Sequence, residues 1–144
     1  MIRHATIEDV VRCGDLAEAY YHQKNTKGEF STRAFTEFWV KAFEARIGDI
    51  LMRESDGKLM EAIGYVSHPG MNGLRCVSTM FWYVIDEPQG LASGLVLKQF
   101  LDYVQGVSET RVALLLDSNL PHNASVLKHC GFEPYEMIYL KEDK

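Results

Sequence analysis

Apolar residues recur along this chain with two periods, and the changes of period divide it into elements. Residues 2–5 alternate as a short strand, and Thr6 with Asp9 three positions on has the form of a capping box with Asp in place of Glu. Val10, Cys13, Gly14, Ala17, Tyr20 and Tyr21 fall at helical spacing until the polar stretch 23–28 ends the pattern. Ser31-Thr32 predicts the cap of a second helix, with Phe35, Phe38, Trp39, Ala42 and Phe43 along one face as an aromatic stripe expected in the core. From Asp49 the period shortens. Residues 50–54, a Ser55-Asp56-Gly57 turn and residues 59–67 predict an antiparallel hairpin, which His68-Pro69-Gly70 breaks. Residues 75–85 predict a long strand, apolar on both faces towards its end as a doubly covered strand is. Leu97, Phe100, Leu101 and Val104 mark a third helix that Gln105-Gly106 closes. Residues 112–116 predict a fully buried strand, and Pro121 begins a fourth helix that carries Ala124, Leu127 and Lys128 and stops at Gly131. Residues 132–140 predict a final strand.

This order, without repeats or an evident linker, predicts one mixed α/β domain over residues 1–144. The strand, helix and strand of 75–116 are expected to make a parallel pair with a right-handed crossover, and the earlier strands to be antiparallel. Composition narrows the functional classes. Fifteen Lys and Arg against 20 Asp and Glu give a net charge of −5 and a pI near 5.5, without the basic cluster that a nucleic-acid partner requires. Apolar runs such as 80–85 and 112–116 are far shorter than the roughly 20 residues of a membrane span, so no membrane partner is expected. Cys13, Cys76 and Cys130 are odd in number and widely spaced, which suggests reduced thiols in a cytoplasm; no signal-type apolar block opens the chain, so no export is expected.

The most informative segment is Asp86-Glu87-Pro88-Gln89-Gly90-Leu91-Ala92-Ser93-Gly94, a run with small residues between a buried strand and a helix. The first amides of a helix lack internal partners and carry the positive end of its dipole, so such a turn can bind a phosphate or diphosphate. The spacing is neither of the two common glycine-rich phosphate motifs, and an ordinary structural turn has the same composition.

Gln89-x-x-Ala92-x-Gly94 resembles the acetyl-CoA loop of the GCN5-related N-acetyltransferase superfamily, with Ala92 where glycine is usual. The opening Ile2-Arg3-x-Ala5-Thr6-x-Glu8-Asp9 and the late Gly131-Phe132 are similar to that superfamily's entry and exit segments, so the resemblance spans nearly the whole chain. Thr79-Met80-Phe81-Trp82-Tyr83-Val84 and Leu127-Lys128-x-x-Gly131-Phe132 look like small members from phages and prophages.

The resemblance implies a mixed central sheet flanked by helices on both faces, acetyl-CoA as co-substrate, and direct transfer of the acetyl group to an amine on a small molecule or protein. It further implies that backbone amides at Gln89, Gly90, Leu91, Ala92, Ser93 and Gly94 bind the CoA diphosphate. Trp82 and Val84 would lie on the strand that pairs with the pantetheine arm, and Asn119 and Lys128 would make further CoA contacts. A homodimer is also common among such proteins. Two positions depart from the pattern. Leu127 stands where many members have a tyrosine that protonates the leaving thiolate, and Thr79 where related sequences have a glutamate that accepts the amine proton.

Asp117 and His122 are the replacement candidates for acid and base, ahead of Tyr83, Tyr135 and Tyr139; a polar turn at 117–119 and a helix flank at 122–123 are the structural alternatives. No metal is expected. His129 and Cys130 lack matching ligands nearby, and Glu18 with His22 makes an i,i+4 pair without the His-Glu-x-x-His pattern. Glu29 and Glu37, with Phe30, Phe38 and Trp39, can shape a pocket for a cationic acceptor or form a solvated helix face. The missing acid and base also support a second reading, a catalytically degenerate CoA-binding or interaction module.

Overall fold

A computed structural model describes residues 2–23, 29–85, 95–107, 109–114, 120–139 and 141. Strand β1 (Ile2–His4) leads through a single 3-10 turn (Ile7–Asp9) into helix α1 (Val10–Gln23), followed by helix α2 (Thr32–Glu44). Strands β2 (Gly48–Ser55), β3 (Lys58–Pro69) and β4 (Arg75–Val84) come next, then helix α3 (Leu95–Tyr103), strand β5 (Glu109–Arg111) and helix α4 (Leu120–His129). The strands form one sheet in chain order β1-β2-β3-β4-β5, with antiparallel pairing throughout except between β4 and β5, which run parallel as expected.

Period-two alternation in the central strands gives the sheet two apolar faces. Ile50, Met52, Ala62 and Phe81 point to one side, where Val10, Cys13, Ala17 and Tyr20 of α1 and Trp39 and Ala42 of α2 bury them. Leu51, Ile63 and Val77 point to the other, against Val96, Leu97 and Phe100 of α3 and Leu127 of α4. The predicted mixed sheet with helices on both faces is therefore the architecture found. At the tip of the β2–β3 hairpin, Asp56 and Gly57 have φ of 52° and 76°, the left-handed pair that a two-residue turn between right-twisted strands requires. Gly64 answers a different need: a Cβ there would lie 2.4 Å from Phe81 Cε1 and 2.7 Å from Trp39 Cζ2.

The start of the chain is held by one carboxylate. Asp9 is 8% exposed and accepts from Arg3 Nη1 at 2.7 Å and Nη2 at 3.1 Å, from the Thr6 amide at 2.8 Å and from the Thr6 hydroxyl at 2.9 Å. Arg3 also donates to Glu54 at 2.7 Å, so β1, the first helical turn and β2 share one charged network. The Arg3 guanidinium holds the Asp9 carboxyl well below the usual carboxylate range.

Four expectations are corrected. Pro69 does not break its strand, because β2 pairs with β3 only as far as Val66, so a proline at the far end of β3 leaves no ladder bond to β2 unmade. Phe38 is 41% exposed, on the rim of the α2 aromatic stripe. Of the strand expected at 112–116, residues 112–114 are in no strand and 115–116 lie outside the described residues; the strand found is Glu109–Arg111. There the backbone meets Cys76, Val77 and Ser78 of β4, whereas Val112, Ala113 and Leu114 have left the ladder despite their apolar side chains. Residues 132–139 form no strand and have no ladder partner among the described residues; Tyr135, Met137, Ile138 and Tyr139 are 72–87% exposed. Alternation alone is insufficient, since a strand needs a neighbouring edge to pair with.

Asp9→Asn is expected to lower stability by about 2 kcal/mol at neutral pH, through lost charge-assisted hydrogen bonds. Because the folded state depresses this carboxyl's pKa, its contribution is present above the ordinary aspartate pKa of about 3.9 and is lost as the pH falls below it. Urea titrations of the two proteins should therefore converge in acid. Gly64→Ala is expected to cost about 1–3 kcal/mol by overpacking, measured the same way at pH 7.

Candidate functional site

The parallel ladder between β4 and β5 is short: Cys76 pairs with Glu109, Val77 with Thr110 and Ser78 with Arg111, and there it ends. Immediately beyond it, the Ala113 amide donates to the Thr79 hydroxyl at 3.0 Å, a side chain accepting where a strand carbonyl would otherwise do so. The other edge of β4 is irregular at the same point. Gly64 pairs with Phe81 and Tyr65 with Thr79, so Met80 is an extra residue in β4, a bulge that bends the strand and leaves Met80 47% exposed. From Phe81 to Val84, β4 remains bonded to β3, but its outer edge has no ladder partner among the described residues. Such an edge presents amide and carbonyl groups in register for an extended ligand to join as a strand does.

A cavity of about 670 Å³ lies beside this divergence, between the β4–β5 ladder and the chain after α4; Ser78, Thr79, Thr110, Val112, Cys130 and Tyr135 contribute to its wall. Arg111 lies 5.2 Å from the centroid of the Tyr135 ring, a cation–π contact at the rim. Cys130 is exposed, whereas Cys13 and Cys76 are buried, and burial pushes the Cys13 thiol up to about 12.

Where the open edge approaches α3, the inside of the sheet carries a buried acid. Glu61 is fully buried, and its carboxylate accepts from Trp82 Nε1 at 2.9 Å, the Val96 amide at 3.4 Å and Arg53 Nε at 3.5 Å. One side chain of β3 thus links the indole of β4 to the first turn of α3, where free amides and the helix dipole favour an anionic acceptor. Burial raises the Glu61 pKa, opposed by these hydrogen bonds and by Arg53.

Of the residues singled out from sequence, Trp82 and Val84 are on β4, half-buried, and Val84 pairs with Glu61. His122 stands exposed in the first turn of α4 and Lys128 exposed in its last. Gln89, Gly90, Leu91, Ala92, Ser93, Gly94, Asp117 and Asn119 lie outside the described residues. Leu127 has a packing role: it is 6% exposed against α3. Its carbonyl accepts from the Phe132 amide at 3.0 Å and that of Lys128 from the Gly131 amide at 3.1 Å, with Gly131 at φ 94°, the cap that ends α4. Trp39 is core, 1% exposed, and Glu37 pairs with Arg33 at 2.9 Å on the outer face of α2. Glu18 and His22 form the exposed pair expected of them, 3.6 Å apart. Tyr83 packs on the α1–α2 side of the sheet. Among the described residues no group of three His, Cys, Asp or Glu is placed to hold a metal, and no helix is long and apolar enough to cross a membrane.

Sequence reasoning missed Glu61, the Met80 bulge and the contact between His68 and Ser78 described below. For Glu61 a signal existed: Leu59-Met60-Glu61-Ala62-Ile63 sets one charge inside an apolar strand.

No family model and no curated protein matches this sequence. Solved structures do match its shape. A protein of Clostridium acetobutylicum described as a predicted acetyltransferase, solved with acetyl-CoA, superposes with a TM-score of 0.74 at 12% identity, over 98% of this chain and 95% of its own. Glucosamine-6-phosphate N-acetyltransferase of Arabidopsis thaliana gives 0.70 at 15% identity, over 100% and 98%. Ribosomal-protein-alanine N-acetyltransferase of Brucella melitensis gives 0.66 at 13%, over 99% of each. The fold is that of the GCN5-related N-acetyltransferases.

Glu61→Ala is expected to cost about 3–5 kcal/mol, since it removes from the interior the acceptor shared by Arg53 Nε, the Trp82 indole and the Val96 amide. The wild type loses part of its stability as the pH rises through the raised Glu61 pKa, and the alanine variant should lack that slope. Denaturation midpoints measured across pH 4–9 check both statements.

Proposed function

We propose that this chain is an acetyl-CoA-dependent N-acetyltransferase that passes the acetyl group directly to an amine. The observation that carries the reading is the outer edge of β4, which beyond Thr79 has no ladder partner among the described residues and which Glu61 ties to the first turn of α3. The described residues suit an acyl-CoA on two counts: the edge offers peptide groups to an amide-containing arm, and the α3 terminus offers partial positive charge to a diphosphate. In this reading the amides of Gln89, Gly90, Leu91, Ala92, Ser93 and Gly94 hold the diphosphate, with Asn119 and Lys128 as further contacts. Acetyl-CoA supplies an activated thioester carbonyl and a leaving thiolate. The protein's part is to align that carbonyl with the amine, donate to the developing oxyanion from a strand amide and keep the amine neutral. Asp117 and His122 are the proposed acid and base on sequence grounds. The acceptors named for two of the similar structures, glucosamine 6-phosphate and a ribosomal-protein alanine, supply amines to try first.

Burial of Leu127 favours a second reading, in which the protein binds CoA without turnover, because a core leucine replaces the usual proton donor. Calorimetry with acetyl-CoA and thiol release with an amine panel separate the two: binding with turnover supports transfer, and binding alone supports the module. Gly94→Glu is expected to weaken acetyl-CoA binding at least tenfold by placing bulk and negative charge at the anion site. Unchanged affinity in that variant would refute the assigned loop.

A further inference from the structure

We propose that Ser78 and His68, in place of the Asp117 or His122 offered by the sequence, form the pair that takes the proton from the acceptor amine; the inference rests on the acetyl-transfer reading and supplies the base that Thr79 cannot. His68 lies on β3, in register with Cys76 of β4, so Ser78 is its diagonal neighbour on the same face of the sheet. Two contacts orient the imidazole: Nδ1 is 3.2 Å from the Pro69 carbonyl oxygen and Nε2 is 3.0 Å from Ser78 Oγ. A carbonyl can only accept, so Nδ1 carries the proton in the neutral ring and Nε2 presents its lone pair to the Ser78 hydroxyl, which donates. This is the arrangement of a hydroxyl, a base and a third group that fixes the base's tautomer, with a peptide carbonyl in the third place.

Its location is the stronger argument. Ser78 is the last residue of β4 to pair with β5, it precedes the Thr79–Ala113 contact and the Met80 bulge, and it contributes to the cavity wall where the strands part. An amine brought to a carbonyl at that divergence meets Ser78 before any other side chain of this pair. The step balances without a further reagent. The ammonium gives a proton to Ser78 Oγ as the serine passes its own hydroxyl proton to His68 Nε2, so the amine regains its lone pair, the serine stays neutral and His68 becomes imidazolium. The ring, half-buried, then returns the proton to solvent. The groups that face the pair are the Cys76 thiol, 3.9 Å from Ser78 Oγ, and Arg75, which donates to Ser67 at 2.9 Å. On β5, Glu109 extends towards Gly70 and is paired with Arg111 at 3.2 Å. Both nearby guanidiniums are thus engaged by oxygen acceptors.

The test uses the full-length protein and two readouts. Imidazole nitrogen NMR of the ligand-free protein, with His68 assigned through His68→Gln, should show the Nδ1–H tautomer, and Ser78→Ala should shift its tautomer balance. An Nε2–H tautomer in the wild type would overturn the proposal. Turnover is followed with acetyl-CoA and glucosamine 6-phosphate, an alanine-initiated peptide and spermidine as probes. His68→Gln and Ser78→Ala are each expected to lower kcat about 100-fold with KM for acetyl-CoA unchanged; Ser78→Thr, which keeps a hydroxyl, should recover most of the rate. Wild-type rates in the variants overturn the pair while leaving acetyl transfer standing. A wild type that binds no acetyl-CoA overturns the transfer reading and the pair with it, and one that binds without turning over any probe supports the binding module and overturns the pair.

Discussion

The constraint on which this structure turns is the divided pairing of β4. One edge is bonded to β3 along its length except at a single bulge, whereas the other is bonded to β5 at only three positions before the strands separate. A parallel neighbour that continued would have sealed that edge, and the sheet would be a closed platform with no place for an extended ligand. Phe81 is clamped by α1 and α2 on one face and Val77 by α3 and α4 on the other, so apolar burial holds the strand in place while its outer edge beyond Ser78 has no ladder partner among the described residues.

The same economy explains the acid inside the sheet. A buried carboxylate is costly unless its lone pairs are used, and Glu61 uses them on groups from β2, β4 and α3 at once. Apolar side chains at this position could fill the volume but could not fix the orientation of the Trp82 indole or the entry angle of α3. The cost of desolvation is spent where the open strand edge and the helix terminus must keep a constant spacing.

Much of the scaffold could be read from the sequence because local chemistry specifies it. The Asp56-Gly57 turn, the serine cap of α2, the Gly131 stop of α4 and the Thr6–Asp9 capping pair each depend on residues within a few positions of one another. What escaped reading depends on distant partners. The Met80 bulge exists only as a count of residues against β3, and the displacement of β5 to Glu109–Arg111 follows from which backbone faces Cys76, Val77 and Ser78 rather than from hydrophobicity. Residues 132–139 have the alternation of a strand and no edge to join among the described residues. For the site, the motif at residues 89–94 lies outside the described residues, and Glu61, His68 and Ser78 belong together only once the hairpin register is known.

The cysteines bring a practical corollary. Two of the three thiols are sealed in the interior and Cys130 alone faces water, at the cavity wall. A maleimide dye would therefore tag the native molecule at a single sulfhydryl, without mutagenesis, and its emission would report events at the mouth of the cleft. The same sulfhydryl sets a stoichiometric background of one equivalent per chain in any colorimetric disulfide-exchange measurement on the folded protein.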